Sequence, residues 1–412
     1  MLRIATNLRG CVVPVLEAGP TTMLMYFDAA TWLRMVRLAA RETRGRTRRK
    51  LLVRLLLTVP LVASFHAVCF FLDRILFPAL RTIEIRTPVF IVGHARSGTT
   101  LLHRLMSEDR ARFSVFLYYE LFFPSLLQKK VIRFLAECDR RLGSRIASRV
   151  EAWEERTFGP MRHIHPMGLT MPEEDDFLFT YSCASGYWIV LLPYLGELDF
   201  YHVDDLPAAK RRRMMRFYAE CVRRQLYLNG REKVHLSKNP IFSGRVATLI
   251  ETFPDARIVV CMRDPAETIP SLLKLMQTGW ARRKWDAARM QRSLRLLAEQ
   301  SVHTYRHPLD VLRRHPETAH AVVDYRDLVR DPTGVVHRVY ERLGFTPSAA
   351  LDRALAAQER RSGAHAARHE YSLEEFGLRR DEIRAQLADL YAEFGWSDDA
   401  ASERRAGCGS AE

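Results

Sequence analysis

PVFIVGHARSGTTLLHRLM, residues 88–106, is the stretch on which the fold turns. Pro88 to Gly93 is a short apolar run, rich in β-branched residues and closed by glycine, which reads as a buried parallel strand. The octet Gly93-His94-Ala95-Arg96-Ser97-Gly98-Thr99-Thr100 then turns the chain into an apolar helix opening near Thr99. Glycines let backbone approach an anion, and a helix N-terminus presents free N–H groups with a partial positive charge. Thr99 and Thr100 add hydroxyl donors. The spacing is that of a triphosphate-binding G-x-x-x-x-G loop, but Thr99 stands where a triphosphatase carries lysine, and the cation lies inside the loop as Arg96. A kinase or triphosphatase needs that lysine on the β- and γ-phosphates. An arginine here suits a shorter anionic chain, one charge-assisted contact and no obligatory metal. The bland alternative is a tight strand-to-helix turn with a solvated arginine.

Outward from this stretch the pattern repeats. KVHLS (233–237) and RIVVCMR (257–263) are two more short apolar runs, with a helix expected over 243–253, before Pro254. Asp264-Pro265 opens a helix over 265–277, with proline at its first position. Residues 287–314 read as a long basic helix, HAVVDYRDL (320–328) as a strand, and 331–344 as a helix closed by Gly344. Strands alternating with helices predict an α/β fold with a parallel sheet. Residues 121–232 read as a helical insertion, and the small, polar residues 398–412 as a disordered tail.

The first 86 residues differ. Residues 44–50, RGRTRRK, carry five basic side chains in seven, and Leu55 to Leu72 is then an 18-residue apolar stretch containing Pro60 and His66. Three readings stand open: a single span near 51–77 with its basic side in the cytoplasm, an interfacial hairpin bent at Pro60, or a buried helix pair capping the main domain. Two of the three place the chain on the cytoplasmic face of a membrane. No signal peptide is expected, because the strongest apolar run starts only near Leu51.

Hydrophobic residues make up 48% of the 412, enough for a large core. Lys+Arg number 63 against Asp+Glu 48, a net charge of +15, which excludes an acidic solvating protein and points to anionic partners. Only 8 of the 63 are lysine, an arginine skew that looks like a high-GC bacterial coding bias. The arginines are spread along the chain without a nucleic-acid motif, which argues against a nucleic-acid partner. The seven cysteines, at 11, 69, 138, 183, 221, 261 and 408, are odd in number and form no C-x-x-C, so neither a disulfide framework nor a zinc site is indicated.

The loop and its helix resemble the 5′-phosphosulfate loop of sulfotransferases that use 3′-phosphoadenylyl sulfate (PAPS). The R-S-G-T-T form is similar to tyrosylprotein and many bacterial members. The second family signature is matched by HLSKNPIFSGRVATLIETFPDARIVVCMRDPAETIPSLLKL (235–275). The resemblance runs over residues 88–345, with a further piece at 369–378. It implies a P-loop-kinase-like three-layer α/β/α domain over 87–397. It also implies that Ser97, Gly98, Thr99 and Thr100 cradle the 5′-phosphate, that Arg263 and Ser271 hold the 3′-phosphate, and that Tyr325 lies near the adenine. Arg96 and Lys238 would stand at the leaving phosphate. The residues themselves agree in part: Arg263 follows a β-run, so it sits at the carboxyl edge of the sheet, where open α/β folds bind ligands.

For the base, the resemblance to the tyrosylprotein enzymes indicates Glu120, the sole carboxylate in the apolar segment SVFLYYELFFP (114–124). Desolvation makes a carboxylate a better proton acceptor. His163 and His165 are the alternative bases; as a metal pair they lack a third ligand at a recognised spacing. PEEDDF (172–177) reads first as a helix start, and similar bacterial members carry a Pro-Glu-Glu element near the acceptor. The expected activity is sulfuryl transfer from PAPS to an acceptor hydroxyl without a metal, releasing adenosine 3′,5′-bisphosphate. The apolar N-terminal region, aromatic segment 113–123 and tryptophan-containing 181–194 suggest a lipid, glycolipid or other hydrophobic acceptor. The rivals are a P-loop phosphotransferase using ATP and a non-catalytic, membrane-associated nucleotide-binding protein.

Overall fold

The computed structural model describes residues 3–6, 12–15, 25–42, 45–159, 167–362 and 373–396. His163, His165 and the tail 398–412 lie outside the described residues.

A two-stranded antiparallel ribbon, β1 (Arg3–Thr6) and β2 (Val12–Val15), comes first. Then follow α1 (Ala29–Glu42), α2 (Gly45–Val53) and α3 (Val59–Leu76), the last two joined by a wide π turn at Arg54–Thr58. The main sheet begins with β3 (Val89–Gly93), α4 (Thr99–Ser107) and the short β4 (Phe113–Ser114). The insertion comprises α5 (Tyr118–Phe122), α6 (Leu126–Arg141), α7 (Arg145–Phe158), a 3-10 helix at Asp175–Ser182, α8 (Tyr187–Leu191) and α9 (Ala208–Asn229). Next come β5 (Val234–Lys238), a 3-10 turn at Pro240–Arg245, α10 (Val246–Thr252), β6 (Arg257–Met262), α11 (Pro265–Arg282) and α12 (Ala287–Arg314). The chain closes with β7 (His320–Asp324), α13 (Tyr325–Arg330), α14 (Pro332–Arg342), α15 (Ala349–Ser362), α16 (Arg380–Gln386) and α17 (Ala388–Phe394).

The five main strands are parallel, in the order β4-β5-β3-β6-β7. Side chains alternate across a strand, so the sheet feeds two cores. Phe90, Val92, Ile258 and Val260 face one, while Val89, Ile91, Val259 and Cys261 face the other. Burial on both faces is why these strands read as unbroken apolar runs. Ile91 pairs with Lys238 on one side and Val259 on the other, so β3, β5 and β6 end at one carboxyl edge.

The expected strand over 320–328 stops at Asp324, because the Asp324 carboxylate accepts a hydrogen bond from Arg326 N at 2.7 Å and caps α13. The helix opened by Pro265 runs on to Arg282, and β4 is too short to leave a periodic signal.

The hairpin bent at Pro60 is not what forms: the chain stays helical through Pro60. Proline has no N–H for the carbonyl four residues back and crowds the preceding turn. The wide turn at Arg54–Thr58 directly before it absorbs that misfit. Among the described residues, Arg48–Leu76 is the one helix long and apolar enough to cross a membrane. Its inner face is packed into the protein, however: Leu55, Val59 and Phe70 share a core with Phe90 and Val260 of the sheet.

Candidate active site

The turn from β3 into α4 is built on left-handed backbone at Gly93 (φ 133°), Arg96 (φ 75°) and Gly98 (φ 93°). A Cβ at Gly93 would lie 2.2 Å from the Cys261 carbonyl oxygen, and one at Gly98 would lie 2.7 Å from the Tyr325 ring. Both positions therefore need glycine for space as well as for φ. Arg96 takes the same uncommon region with a side chain, a local strain held by its surroundings. Ser243 Oγ, from the turn after β5, accepts from Gly93 N at 2.9 Å. His94 is buried against Tyr305 of α12, with rings stacked 5.0 Å apart. Its Nδ1 faces the Ala95 carbonyl at 2.7 Å and its Nε2 faces Ser301 Oγ at 2.9 Å. Burial lowers the His94 pKa to about 4, offset only in part by the bond to Ala95, so the ring is neutral and Nδ1 carries its proton. Ser97 is fully buried and its hydroxyl has no partner among the described residues.

The structure brings Arg96, Gly98, Arg263, Ser271 and Tyr325 together from four segments. Arg96 Nε donates to Ser271 Oγ at 3.3 Å, and Arg263 Nη1 donates to the Arg96 carbonyl at 3.3 Å. The Arg263 guanidinium lies over the Tyr325 ring, 4.2 Å from its centre, and the same ring packs on Gly98. Arg263 also pairs with Glu267 one turn into α11, at 2.6 Å. Asp264 caps α11, accepting from Ala266 N at 2.8 Å.

Lys238, at the end of β5, is fully buried rather than a solvated loop lysine. Its Nζ lies 2.9 Å from Glu174 Oε1 and 3.7 Å from Glu173 Oε2. Burial alone would lower its pKa, but Glu174 and Glu173 outweigh that and hold it above the ordinary lysine value, so it stays cationic. The acidic run 173–176 thus divides. Glu173 and Glu174 turn to Lys238, while Asp176 pairs with the buried Arg245 at 3.2 Å and Asp175 with His235 at 2.8 Å. The run does open a helix, the 3-10 segment from Asp175, but the two glutamates have a second use that local pattern did not assign.

Glu120 is held in a network of its own. Its side chain is fully buried on α5 and accepts four hydrogen bonds. Leu117 N at 3.0 Å and Gln225 Nε2 at 2.7 Å reach Oε2; Arg133 Nη2 at 3.0 Å and Tyr119 OH at 3.2 Å reach Oε1. A carboxylate has about four lone-pair sites. All four are occupied, and none of these partners is Arg96 or Lys238. Glu120 is thus engaged in capping α5 and tying it to α6 and α9.

An aromatic file leads away from Glu174. Phe177, one 3-10 turn on, lies 5.6 Å from Tyr118 and 4.9 Å from Tyr187; Tyr118 lies 5.6 Å from Phe158, and Phe158 lies 5.8 Å from the half-exposed Trp153 (centroid distances). Among the described residues no group of three or more His, Cys, Asp or Glu could hold a metal.

Comparison with known proteins adds an independent line. Residues 88–348 match the family model described as Sulfotransferase family. Curated relatives include omega-hydroxy-beta-dihydromenaquinone-9 sulfotransferase Stf3 of Mycobacterium bovis and of Mycobacterium tuberculosis. Each is 29% identical over 294 residues, which cover 64% of this chain and 64% of the relative. The chain thus matches just under two thirds of their length. Among solved structures, sulfotransferase STF9 from Mycobacterium avium has a TM-score of 0.63 at 18% identity, covering 90% of this chain and 98% of that one. Sulfotransferase STF1 from Mycobacterium tuberculosis has the same TM-score at 21% identity, covering 88% and 94%. These two likenesses bear on the fold: a parallel sheet with helices on both faces and a tight glycine-containing turn after its central strand. Matched by the family model over more than half its length, this chain belongs to the sulfotransferase family.

Proposed function

We propose that this sulfotransferase takes a sulfuryl group from PAPS and gives it to a hydroxyl on a hydrophobic acceptor, releasing adenosine 3′,5′-bisphosphate. The convergence of Arg96, Ser271, Arg263 and Tyr325 on the loop after β3 carries this reading, because it gathers two guanidinium groups and a hydroxyl beside an aromatic face. The unpartnered hydroxyl of buried Ser97 fits a ligand oxygen, since a buried hydroxyl is ordinarily paired. Ser97, Thr99, Thr100 and the first N–H groups of α4 would hold the 5′-phosphate, Arg263 and Ser271 the 3′-phosphate, and Tyr325 the adenine side. When bound, PAPS supplies the activated sulfate and a bisphosphate leaving group.

The chain's own residues then have defined tasks. Arg96 and Lys238 hold positive charge where the leaving oxygens gather negative charge. Lys238 is fit for this because its two glutamates keep it protonated inside a dry site. With Glu120 closed by its four partners, we assign the acceptor's proton to Glu174, which is part-exposed and already at the reacting edge. His163 remains the alternative base. Sulfuryl transfer, like phosphoryl transfer, relies on positioning and electrostatics more than on covalent chemistry.

The Stf3 relatives are named for an omega-hydroxylated menaquinone derivative. That likeness, with the aromatic file from Trp153 to Glu174, supports an acceptor that carries its hydroxyl on an apolar body. Calorimetry of the full chain should show adenosine 3′,5′-bisphosphate binding at least tenfold more tightly than ATP, without Mg²⁺. Radiolabelled sulfate from PAPS should then pass to long-chain isoprenoid alcohols in preference to short polar ones. Tighter, Mg²⁺-dependent ATP binding would defeat the proposal in favour of a phosphotransferase.

A further inference from the structure

The helix 48–76 is apolar on two faces that do different things. Its inner face carries polar anchors. Asp73 accepts from Ser125 Oγ (2.9 Å), Leu126 N (2.9 Å) and Leu127 N (2.7 Å), and pairs with Arg224 at 2.7 Å. Asp73 thereby caps α6, and His66 Nδ1 meets Gln128 Nε2 at 2.9 Å. Drawing this helix into a bilayer as a span would strip Asp73 and Arg224 of each other, and buried charges tolerate that poorly. The outer face is otherwise. Leu57, Leu61, Phe65, Val68, Phe71 and Ile75 are each at least half exposed and recur at three- and four-residue spacing, one continuous stripe.

A second stripe adjoins it. The α6–α7 hairpin, whose first helix packs on α3, exposes Phe134, Leu135, Leu142, Ile146, Val150 and Trp153. No residue of α7 is buried. Twelve exposed large apolar side chains on neighbouring helices are the kind of surface that marks a protein or membrane interaction site on a soluble protein. The charges around them have a sign. Arg48, Arg49 and Lys50 are exposed at the start of the helix. At 100° per residue, Arg145, Arg149 and Arg156 fall on one flank of the α7 stripe; Glu151 and Glu155 fall on the opposite face, and Glu154, on the other flank, accepts from Leu169 N at 3.4 Å. Trp153 belongs to this stripe and is also the outer end of the aromatic file.

We infer that these two stripes form an in-plane docking face for a bilayer carrying anionic lipid, into which α3 and the α6–α7 hairpin sink their apolar sides without crossing. An interfacial helix with an apolar face and a cationic rim binds in this way, the long arginines reaching up to the headgroups. A second copy of the chain is a poorer occupant, because it would set one cationic rim against another. The inference stands on the surface and does not depend on the donor or acceptor.

The test is flotation of the full chain with vesicles of phosphatidylcholine alone and of phosphatidylcholine with 30% phosphatidylglycerol. The chain should float with the anionic vesicles at lipid concentrations at least tenfold below those needed for the neutral ones. The combined substitution Leu57→Glu, Leu61→Glu and Phe65→Glu should raise the lipid needed for half-binding at least tenfold. Because that variant could misfold, the surface charge reversal Arg48→Glu, Arg49→Glu and Lys50→Glu is run beside it, and should abolish the preference for anionic lipid. A circular-dichroism spectrum and a thermal unfolding transition like those of the wild type report that each variant is folded. Wild-type chain left unbound by both vesicles overturns the inference, as does binding unchanged by either set. So does a wild-type dimer, seen by sedimentation, that the same substitutions dissociate while vesicle binding stays nil.

Discussion

Replacing Arg263 by glutamine should separate two ligands that differ only by a phosphate. In the structure the guanidinium is committed to three neighbours: the Tyr325 ring, the Arg96 carbonyl and Glu267. The Glu267 pair is part-exposed on both sides, so turning the arginine from it to a ligand costs no more than about 1 kcal/mol. A charge-assisted hydrogen bond contributes about 1.5–3 kcal/mol. The difference, about 0.5–3 kcal/mol, corresponds to an affinity loss of about 2- to 150-fold. Calorimetry should show that loss for adenosine 3′,5′-bisphosphate, with adenosine 5′-monophosphate changed no more than about twofold. Glu267→Gln should act in the opposite sense, tightening the bisphosphate by up to about fivefold through release of the arginine. An equal loss for both nucleotides would refute the reasoning, since Arg263 would then act only by bracing the loop through the Arg96 carbonyl. No loss for either would remove it from the site.

Ser97→Ala deletes a buried hydroxyl that has no partner in the protein, so urea denaturation should show stability unchanged or raised by up to about 1 kcal/mol, while bisphosphate affinity falls about 2- to 10-fold. Glu120→Gln should lower stability by about 1–3 kcal/mol, because four donors face that carboxylate, yet keep most of the turnover per folded molecule. Glu174→Gln should do the reverse, lowering kcat by about 10²–10⁴ with nucleotide affinity kept; the opposite pair of results would return the base to Glu120. His94 titrates near 4 when folded against 6.5 when free. The unfolded chain therefore binds the extra proton between those values, and stability should fall as pH drops from about 6.5 towards 4, by up to about 1.4 kcal/mol per pH unit from this group. His94→Asn should flatten that part of a urea-midpoint profile, and an unchanged slope would count against a buried neutral ring.

The strand–loop–helix at 88–106, the missing triphosphatase lysine and the position of Arg263 at the carboxyl edge of the sheet could be read from local pattern: an unbroken apolar run, glycines where φ is positive, and a proline opening the next helix. Ser271 and Tyr325 were legible only through the family resemblance, and Tyr325 opens α13 where the pattern read a strand. The destinations of the carboxylates could not be read in either way. Glu120 stood out as a lone acid among aromatics, but whether such a group is free or saturated depends on Arg133 and on Gln225, which is 105 residues away. Glu173 and Glu174 read as an ordinary helix start because their partner Lys238, at the end of β5, comes 64 residues after Glu174. The same holds for the apolar stretch after Leu55. Its composition is fixed by the sequence, but which side of the helix is buried, and whether Asp73 binds it to the domain, is decided only when α6 and α9 pack against it. Backbone conformation follows from neighbours in the chain, whereas the pairing of buried charges and the exposure of an apolar face are properties of contacts that exist only after folding.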